Sequence, residues 1–236
     1  MPKPFRFKQF TVHHDRCAMK IGTDGILLGA WATGSHARRI LDIGTGCGVI
    51  ALMLAQRFPA AQVAAVELDP AASEQAAANF SESPFRDRLT LTQSSVQDFQ
   101  VVAPFDLVVS NPPWFPDGPK SPDTKRSLAR HNDSLTLNEL ATEAVRMLSP
   151  NGRLSIILPI ETAQPFCNLA RNVDLHCVRQ CRVRSTPDSK PRRMLLEFSN
   201  QGGPEELTVQ ELVVETARHE YSEAYAALAK EFLLKL

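Results

Sequence analysis

Residues 42–48 limit the possible folds of this chain most strongly, because three glycines lie at alternate positions between two apolar segments. The segment reads DIGTGCG, after a strand-like stretch at 39–43 and before a helix-like stretch at 49–58. Alternate glycines allow a tight turn and let a ligand approach the backbone closely. The following helix offers free N–H groups in its first turn. This segment therefore predicts a strand–turn–helix unit with a ligand at the carboxyl end of the strand.

The rest of the chain repeats this alternation. Hydrophobic patterning predicts further strands at 62–68, 89–93, 105–110, 154–158, 175–184 and 194–198, and helices at 70–80, 135–148 and 162–171. Residues 207–214 are strand-like, and 221–236 are predicted to be helical. Such alternation indicates a mainly parallel sheet with helices on both faces. The short loop between the last two of the seven strands predicts that one of them runs antiparallel, near one edge of the sheet.

Composition and charge fit one globular domain. The 236 residues carry 26 Lys and Arg against 26 Asp and Glu, and 43% of them are hydrophobic. The apolar stretches are far shorter than the roughly 20 residues of a membrane-spanning helix, and we expect no secretory signal. The five cysteines form no CxxC pair and lack metal-ligand spacing. We therefore expect reduced thiols, no metal site and a cytoplasmic protein.

An acidic residue follows the glycine turn at the distance typical of nucleoside-binding sites. Glu67 ends the second predicted strand, about 20 residues after the turn, where a carboxylate can accept both hydroxyls of a ribose. Val49 occupies the position where a dinucleotide-binding fold has its third Gly or Ala. The combination predicts a nucleoside-bearing cofactor across the carboxyl ends of the strands, with an NAD-dependent oxidoreductase as the alternative.

A second motif, Asn111-Pro112-Pro113-Trp114, directly follows the fourth predicted strand. The two prolines fix the backbone and remove two N–H donors. The Asn111 side-chain oxygen and the Pro112 carbonyl can then accept both hydrogens of an NH2 group, and Trp114 can stack on a planar base. Catalysis at such a site consists mostly of alignment and electrostatics. We predict that these four residues are catalytic and prepare an amino nitrogen for attack.

The glycine turn resembles that of class I methyltransferases, which use S-adenosylmethionine (SAM) and carry an acidic residue before GxGxG. The resemblance implies a Rossmann-like fold with SAM as cofactor. It also implies that the methionine part of SAM contacts Asp42 and the backbone of Gly44, Gly46 and Gly48. Glu67 would contact the ribose. In this family a residue after the third strand contacts the adenine; Ser95 occupies that position, and Asp98 lies three residues further on.

The NPPW motif resembles the [DNS]PP[YFW] signature of amino-group methyltransferases, with Trp in place of the commoner Tyr. A more specific resemblance lies in residues 19–31, MKIGTDGILLGAW, together with Phe10 and the pair Arg130-His131. These segments look like bacterial methyltransferases that modify N6 of adenine 37, beside the anticodon of a valine tRNA. The similarity extends over nearly the whole chain. It implies tRNA as substrate, with Asn111 near the cofactor and Lys20, Gly22 and Asp24 over its methionine end.

Basic residues form two clusters that can bind the phosphates of tRNA. Arg182 and Arg184 share one face of a predicted strand. The predicted RNA contacts are Lys125, Arg126, Arg130, Arg182, Arg184, Arg192 and Arg193. We expect them near the carboxyl ends of the strands, where a flipped base would enter.

We expect one methyltransferase domain over 1–236, without an evident protein partner. Residues 1–38 would cover the cofactor site, 39–200 would form the core, and 201–236 a C-terminal extension. Two enzymatic alternatives share the NPP motif: an rRNA guanine-N2 methyltransferase and a release-factor glutamine N5-methyltransferase. The latter usually has an additional N-terminal helical domain, whereas about 40 residues precede the glycine turn here. A non-catalytic RNA-binding module would need the basic residues but neither Asn111 nor Glu67.

Overall fold

The structure is a computed structural model that describes residues 3–34, 36–113, 135–202 and 207–236. The strands of the described residues are β1 (Phe5–Arg6), β2 (Thr11–Val12), β3 (Arg39–Ile43), β4 (Gln62–Glu67), β5 (Leu89–Gln93), β6 (Phe105–Ser110), β7 (Leu148–Pro159), β8 (His176–Arg184), β9 (Arg193–Ser199), β10 (Thr208–Val213), β11 (Glu215–Ala217) and β12 (Glu220–Tyr221). The helices are α1 (Thr23–Trp31), α2 (Val49–Arg57), α3 (Pro70–Glu82), α4 (Leu137–Met147), α5 (Ile160–Arg171) and α6 (Glu223–Ala229).

The main sheet confirms the predicted α/β fold class. Its strand order is β10-β8-β9-β7-β6-β3-β4-β5, and β9 runs antiparallel to both of its neighbours while the other pairs are parallel. The chain order reverses between β3 and β6, so the carboxyl ends of these two strands flank the topological switch point of the sheet. In open α/β sheets, ligands bind at this point.

The sheet has eight strands in the described residues, so the prediction of seven was wrong. The additional strand is β10, which pairs in parallel with β8 from Thr208 opposite Arg179 to Val213 opposite Arg184. Leu212 is the one fully buried residue of β10. With one buried side chain, residues 207–214 show only a weak hydrophobic pattern in the sequence. Without β10, the polar backbone groups along one side of β8 would be unpaired.

Two hydrophobic clusters cover the two faces of the main sheet. Ile40 and Leu41, adjacent on β3, point into different clusters because successive side chains alternate across a strand. The first cluster contains side chains from α1, α2, α3, α6 and the N-terminal hairpin of β1 and β2. The second contains side chains from α4 and α5. The N-terminal residues thus pack on the same side of the sheet as the helix that follows the glycine turn.

Several predicted elements have different bounds in the structure, most clearly the strand predicted at 154–158, which is the longer β7, and two of the predicted helices. The helix predicted at 135–148 is α4, and the chain passes at Leu148 directly into β7, which includes Pro150 with a register shift opposite β6. The helix predicted at 221–236 is only Glu223–Ala229, capped by the Ser222 hydroxyl. Beyond it, Leu233 forms a bridge with Phe7, so the end of the described chain supports the N-terminal hairpin.

Substitution of a core phenylalanine tests this packing. The Phe198 side chain on β9 is fully buried and meets the Phe166 ring of α5 edge-on, with ring centroids 5.3 Å apart. Phe198→Ala should lower the free energy of unfolding by about 3–5 kcal/mol because it leaves a cavity. Val209→Ala, at an exposed position on β10, should cost less than about 0.5 kcal/mol. Urea unfolding measures both, and similar losses would contradict this account of the core.

Candidate cofactor and amino-group site

The glycine turn between β3 and α2 adopts a backbone that favours glycine. Gly44, Gly46 and Gly48 have φ angles of +69°, +58° and +85°, a region that costs other residues roughly 1–2 kcal/mol each. Gly48 has a further reason to be glycine, because a Cβ there would lie 2.4 Å from the Phe80 ring of α3. Gly44 and Gly46 line the cleft described below, whereas Gly48 is buried at the start of α2. Gly48 therefore packs closely against α3, and its backbone contact with the cofactor stays a prediction.

Asp42 supports the turn from below. Its carboxylate is fully buried, and Oδ2 accepts hydrogen bonds from Thr45 Oγ1 at 2.6 Å and from the Ala51 N–H at 3.1 Å. Oδ1 accepts no hydrogen bond from any residue that the structure describes. Burial raises the pKa of the carboxyl to about 7. Asp42 thus connects the end of β3 to the glycine turn and to the first turn of α2, and its Oδ1 can still accept a hydrogen bond.

Glu67 supports the turn from the neighbouring strand. At the end of β4, its Oε2 accepts from the Gly46 N–H at 2.8 Å and its Oε1 accepts from the Asp69 N–H at 2.9 Å. A carboxylate has about four lone-pair positions, so each oxygen can accept another hydrogen bond. The Glu67 side chain lines the cleft, so it is placed where it could bind a ribose.

The cleft at the carboxyl edge of the sheet consists of two chambers that share Gly44. The larger has a volume of about 490 Å³ and is lined by the ends of β4, β5 and β6 and by the start of α3. The smaller, of about 300 Å³, lies between the glycine turn and residues 19–25. An elongated ligand that carries a nucleoside at one end and a small polar group at the other matches this division.

The predicted site residues divide between the chambers. Glu67, Ser95, Pro112 and Pro113 line the larger chamber. Lys20, Gly22, Asp24, Gly46 and Asn111 line the smaller one. Asp98 is exposed and holds Ser95 in place, since its carboxylate accepts from Ser95 Oγ at 2.7 Å and its N–H donates to the same oxygen at 3.1 Å. Of the two candidates for adenine contact, Ser95 therefore has the better position.

Asn111 lies where the two chambers meet. Its Oδ1 is buried and accepts no hydrogen bond within the described residues. The next residue, Pro112, is buried and lines the other chamber. An unused amide oxygen in a polar cleft is costly unless a ligand supplies a donor. The site is therefore suited to an amino group on its ligand. Trp114 lies outside the described residues.

The predicted RNA-binding arginines lie at the carboxyl edge, but they differ in their partners. Arg184 pairs with Glu211 at 2.8 Å, and Arg193 pairs with Asp24 at 2.8 Å. Arg182 and Arg192 are exposed and form no ion pair with the part of the chain that the structure describes. Free charges bind phosphate more readily than paired ones, so Arg182 and Arg192 are the better candidates. Lys125, Arg126 and Arg130 lie outside the described residues.

Sequence reasoning missed several residues that line the larger chamber. Leu68 and Asp69 directly follow Glu67, and Val96 and Gln97 follow Ser95. Extending the predicted site by two residues beyond Glu67 and beyond Ser95 would have found them. Among the described residues, no group of three or more potential metal ligands occurs, and no helix has the length and hydrophobicity needed to cross a membrane.

Comparisons with known proteins agree with this geometry. The family model described as "Methyltransferase small domain" matches residues 19–173. A tRNA1(Val) (adenine(37)-N6)-methyltransferase from Phocaeicola vulgatus is 46% identical over 237 residues, covering 100% of both chains. Among solved structures, a predicted O-methyltransferase from Agrobacterium tumefaciens superposes with a TM-score of 0.70 at 20% identity, over 89% of this chain and 96% of that one. A glycopeptide N-methyltransferase complexed with SAM has a TM-score of 0.57 at 15% identity, over 77% and 96% of the chains; these two show similarity of fold.

The buried Asp42 carboxyl predicts a pH dependence of stability. Its pKa is raised to about 7 in the folded protein, so between about pH 4 and pH 7 the native state keeps a proton that the unfolded chain has lost. The free energy of unfolding should therefore fall as the pH rises through this range, by about 4 kcal/mol at most. Asp42→Asn keeps an acceptor oxygen but has no charge, and should remove this fall.

Urea unfolding at about pH 5 and about pH 8 measures the effect as a difference between variant and parent. Asp87→Asn is the matched control, because Asp87 is exposed and the same charge is removed. A pH dependence that is equal in all three proteins would show that Asp42 is not the responsible group.

Proposed function

The chain belongs to the family of bacterial tRNA1(Val) (adenine(37)-N6)-methyltransferases, and we propose that it transfers the methyl group of SAM to N6 of adenine 37 in a valine tRNA. The observation that carries this proposal is the Asn111 side-chain oxygen, buried without a donor between the two chambers of the cleft. Methyl transfer to adenine requires an acceptor for its amino group at this point. The full-length similarity favours tRNA over a release factor or rRNA.

SAM supplies a methyl group on a positively charged sulfur. In our proposal, its methionine part occupies the smaller chamber, beside Lys20, Gly22, Asp24 and the Gly44–Gly46 backbone. Its adenosine part occupies the larger chamber, with the ribose at Glu67 and the adenine near Ser95. The cleft fits this ligand because the backbone turn leaves space above Gly44 and Gly46. Glu67 still has lone pairs for the ribose hydroxyls.

The substrate adenine would donate its N6 hydrogens to Asn111 Oδ1 and the Pro112 carbonyl. Accepting both hydrogens draws the nitrogen toward tetrahedral geometry and directs its lone pair at the methyl carbon. When bound, SAM would supply the methyl group to this nitrogen and leave as a neutral thioether, and the nitrogen would become positively charged. It then loses a proton to water, so the reaction needs no strong base. Orientation and electrostatics supply the rate enhancement.

The tRNA would bind along the carboxyl edge of the sheet. We assign phosphate contacts first to Arg182 and Arg192, and treat Arg184 and Arg193 as residues that position this edge through their ion pairs. Residues 1–38, 39–200 and 201–236 would act as one domain. A tRNA substrate and five free cysteines support a cytoplasmic location.

The direct test uses tRNA from a strain that lacks the gene, the purified protein and SAM, followed by nucleoside mass analysis and mapping of the modified position. We expect new N6-methyladenosine at position 37 of valine tRNA. No product on tRNA, with SAM bound, would contradict the proposed substrate.

Asn111→Ala should abolish detectable methyl transfer, with a loss of at least about a hundredfold, because the amino group loses its acceptor. Calorimetry should show SAM affinity within about threefold of the parent, since the other cofactor contacts remain. Asn200→Ala is the matched control: Asn200 Nδ2 donates to the Ser149 carbonyl at 2.9 Å, and Asn200 follows β9 at the opposite edge of the sheet from the cleft. Loss of SAM binding in Asn111→Ala would contradict the assigned role.

The two unpaired arginines predict the salt dependence of tRNA binding. The double variant Arg182→Glu/Arg192→Glu should weaken binding and lower the slope of log K against log salt by about 1–2. The double variant Arg38→Glu/Arg86→Glu is the control, because it changes the net charge by the same amount. Arg38 and Arg86 lie just before β3 and β5, at the edge of the sheet opposite the proposed tRNA contacts. Equal slopes in the two double variants would place the tRNA elsewhere.

A further inference from the structure

Helix α3 holds the N-terminal segment through the buried side-chain amide of Asn79, a residue outside every motif of the chain. The Asn79 side chain is 1% exposed. Its Nδ2 donates to the carbonyls of His13 and Cys47, each at 2.8 Å, and its Oδ1 accepts from the His13 N–H at 2.9 Å. One side chain thus ties the N-terminal segment to the glycine turn.

A second contact from the same face of α3 extends this attachment. Gln75, four residues before Asn79, accepts from the Arg16 N–H at 3.3 Å. The Arg16 guanidinium pairs with Glu74 at 3.3 Å, but both side chains are exposed, and such pairs contribute little. The buried amide of Asn79 is therefore the principal link between α3 and residues 13–16.

The attached segment leads directly into a wall of the smaller chamber. After Arg16 the chain continues through Cys17, which packs against the same hydrophobic cluster that contains Cys47 of the glycine turn. Residues 19–25 then line the smaller chamber opposite Gly44 and Gly46. The distance between the two walls of this chamber therefore depends on how residues 13–16 are held against the glycine turn.

We propose that Asn79 is a positioning residue for methyl transfer, which fixes the N-terminal wall of the methionine chamber relative to the glycine turn. The proposal rests on the proposed function, because it assumes that SAM occupies this chamber. Asn79 does not line the cleft. It acts through the glycine turn, whose Cys47 carbonyl accepts from its amide, and through the His13 backbone, which supplies one acceptor and one donor just before the residues that line the chamber.

Removal of the Asn79 amide should weaken cofactor binding more than tRNA binding. Asn79→Ala leaves the Cys47 carbonyl and both backbone groups of His13 without their partner, and a buried polar group without a partner is costly. The segment can regain hydrogen bonds only by moving away from the turn towards water. We expect the Kd and the KM for SAM to rise about tenfold or more. The KM for tRNA and the kcat at saturating SAM should change less than about threefold.

Asn200→Ala is the matched control. Asn200 Nδ2 also donates to a backbone carbonyl, that of Ser149 at 2.9 Å, and Asn200 follows β9 at the opposite edge of the sheet from the cleft. Its replacement should leave the Kd for SAM unchanged. Thermal unfolding of both variants shows whether each is folded, and Gln75→Ala, which removes the weaker link, should give a smaller change in the same direction.

A thiol reagent reports on the wall without any catalytic assay. Cys47 is buried beneath the N-terminal segment, so Asn79→Ala should increase its labelling rate, measured by peptide mass mapping, while Cys181 in the core should react as in the parent. Asn79→Asp adds a pH signature. The protonated carboxyl can donate one hydrogen bond and the ionised carboxylate can donate none. The Kd of this variant for SAM, relative to that of the parent, should therefore decrease as the pH falls.

The outcomes separate the two proposals. If the parent protein binds no SAM, the proposed function fails, and the labelling of Cys47 still tests the attachment. If Asn79→Ala binds SAM as tightly as the parent does, the positioning role is wrong. It is also wrong if Asn200→Ala weakens SAM binding as much as Asn79→Ala does. A rise in the Kd for SAM together with faster labelling of Cys47, seen in Asn79→Ala alone, supports it.

Discussion

The glycine turn depends on two carboxylates that hold it from two sides. Asp42 binds the Thr45 hydroxyl and the first turn of α2, while Glu67 binds the Gly46 N–H from the adjacent strand. Glycine permits the three positive φ angles but does not by itself select them, so these hydrogen bonds determine the shape of the turn. Because one carboxylate is buried and the other is in the cleft, the turn is fixed to the core on one side and open to a ligand on the other.

The same constraint decides what could be predicted from the sequence. Strands β3, β5 and β6 have the predicted bounds because each is followed directly by Gly, Ser or Asn, where the chain turns. The glycine turn, Glu67 and Asn111 could be identified because their chemistry requires a fixed spacing. Asn79 could not, since its role arises from a contact 66 residues away along the chain. β10 was weakly marked because an edge strand buries few side chains.

Ion pairs at the carboxyl edge explain why charge alone is a poor guide to RNA contacts. The sequence presents four arginines that appear equivalent, but Glu211 and Asp24 neutralise two of them. Asp24 also lines the smaller chamber, so its pair with Arg193 connects a wall of that chamber to the strand edge proposed for tRNA. A displacement of Arg193 or of Asp24 would therefore move its partner as well. The unpaired arginines lack this connection and act as simple charges.

The chemistry around Asn111 is consistent with a reaction that needs no base. Of the described residues that line the smaller chamber, Lys20 and Asp24 carry charges, and Asp24 is already paired. A neutral amino group approaching a cationic methyl donor becomes acidic only after the new bond forms, so a base placed there would bring little advantage. Amide and carbonyl oxygens fixed by prolines orient the nitrogen at the moment of attack. In our proposal the spacing of the two chamber walls governs how tightly the cofactor is held, which is why a hydrogen bond outside the cleft can matter for cofactor binding.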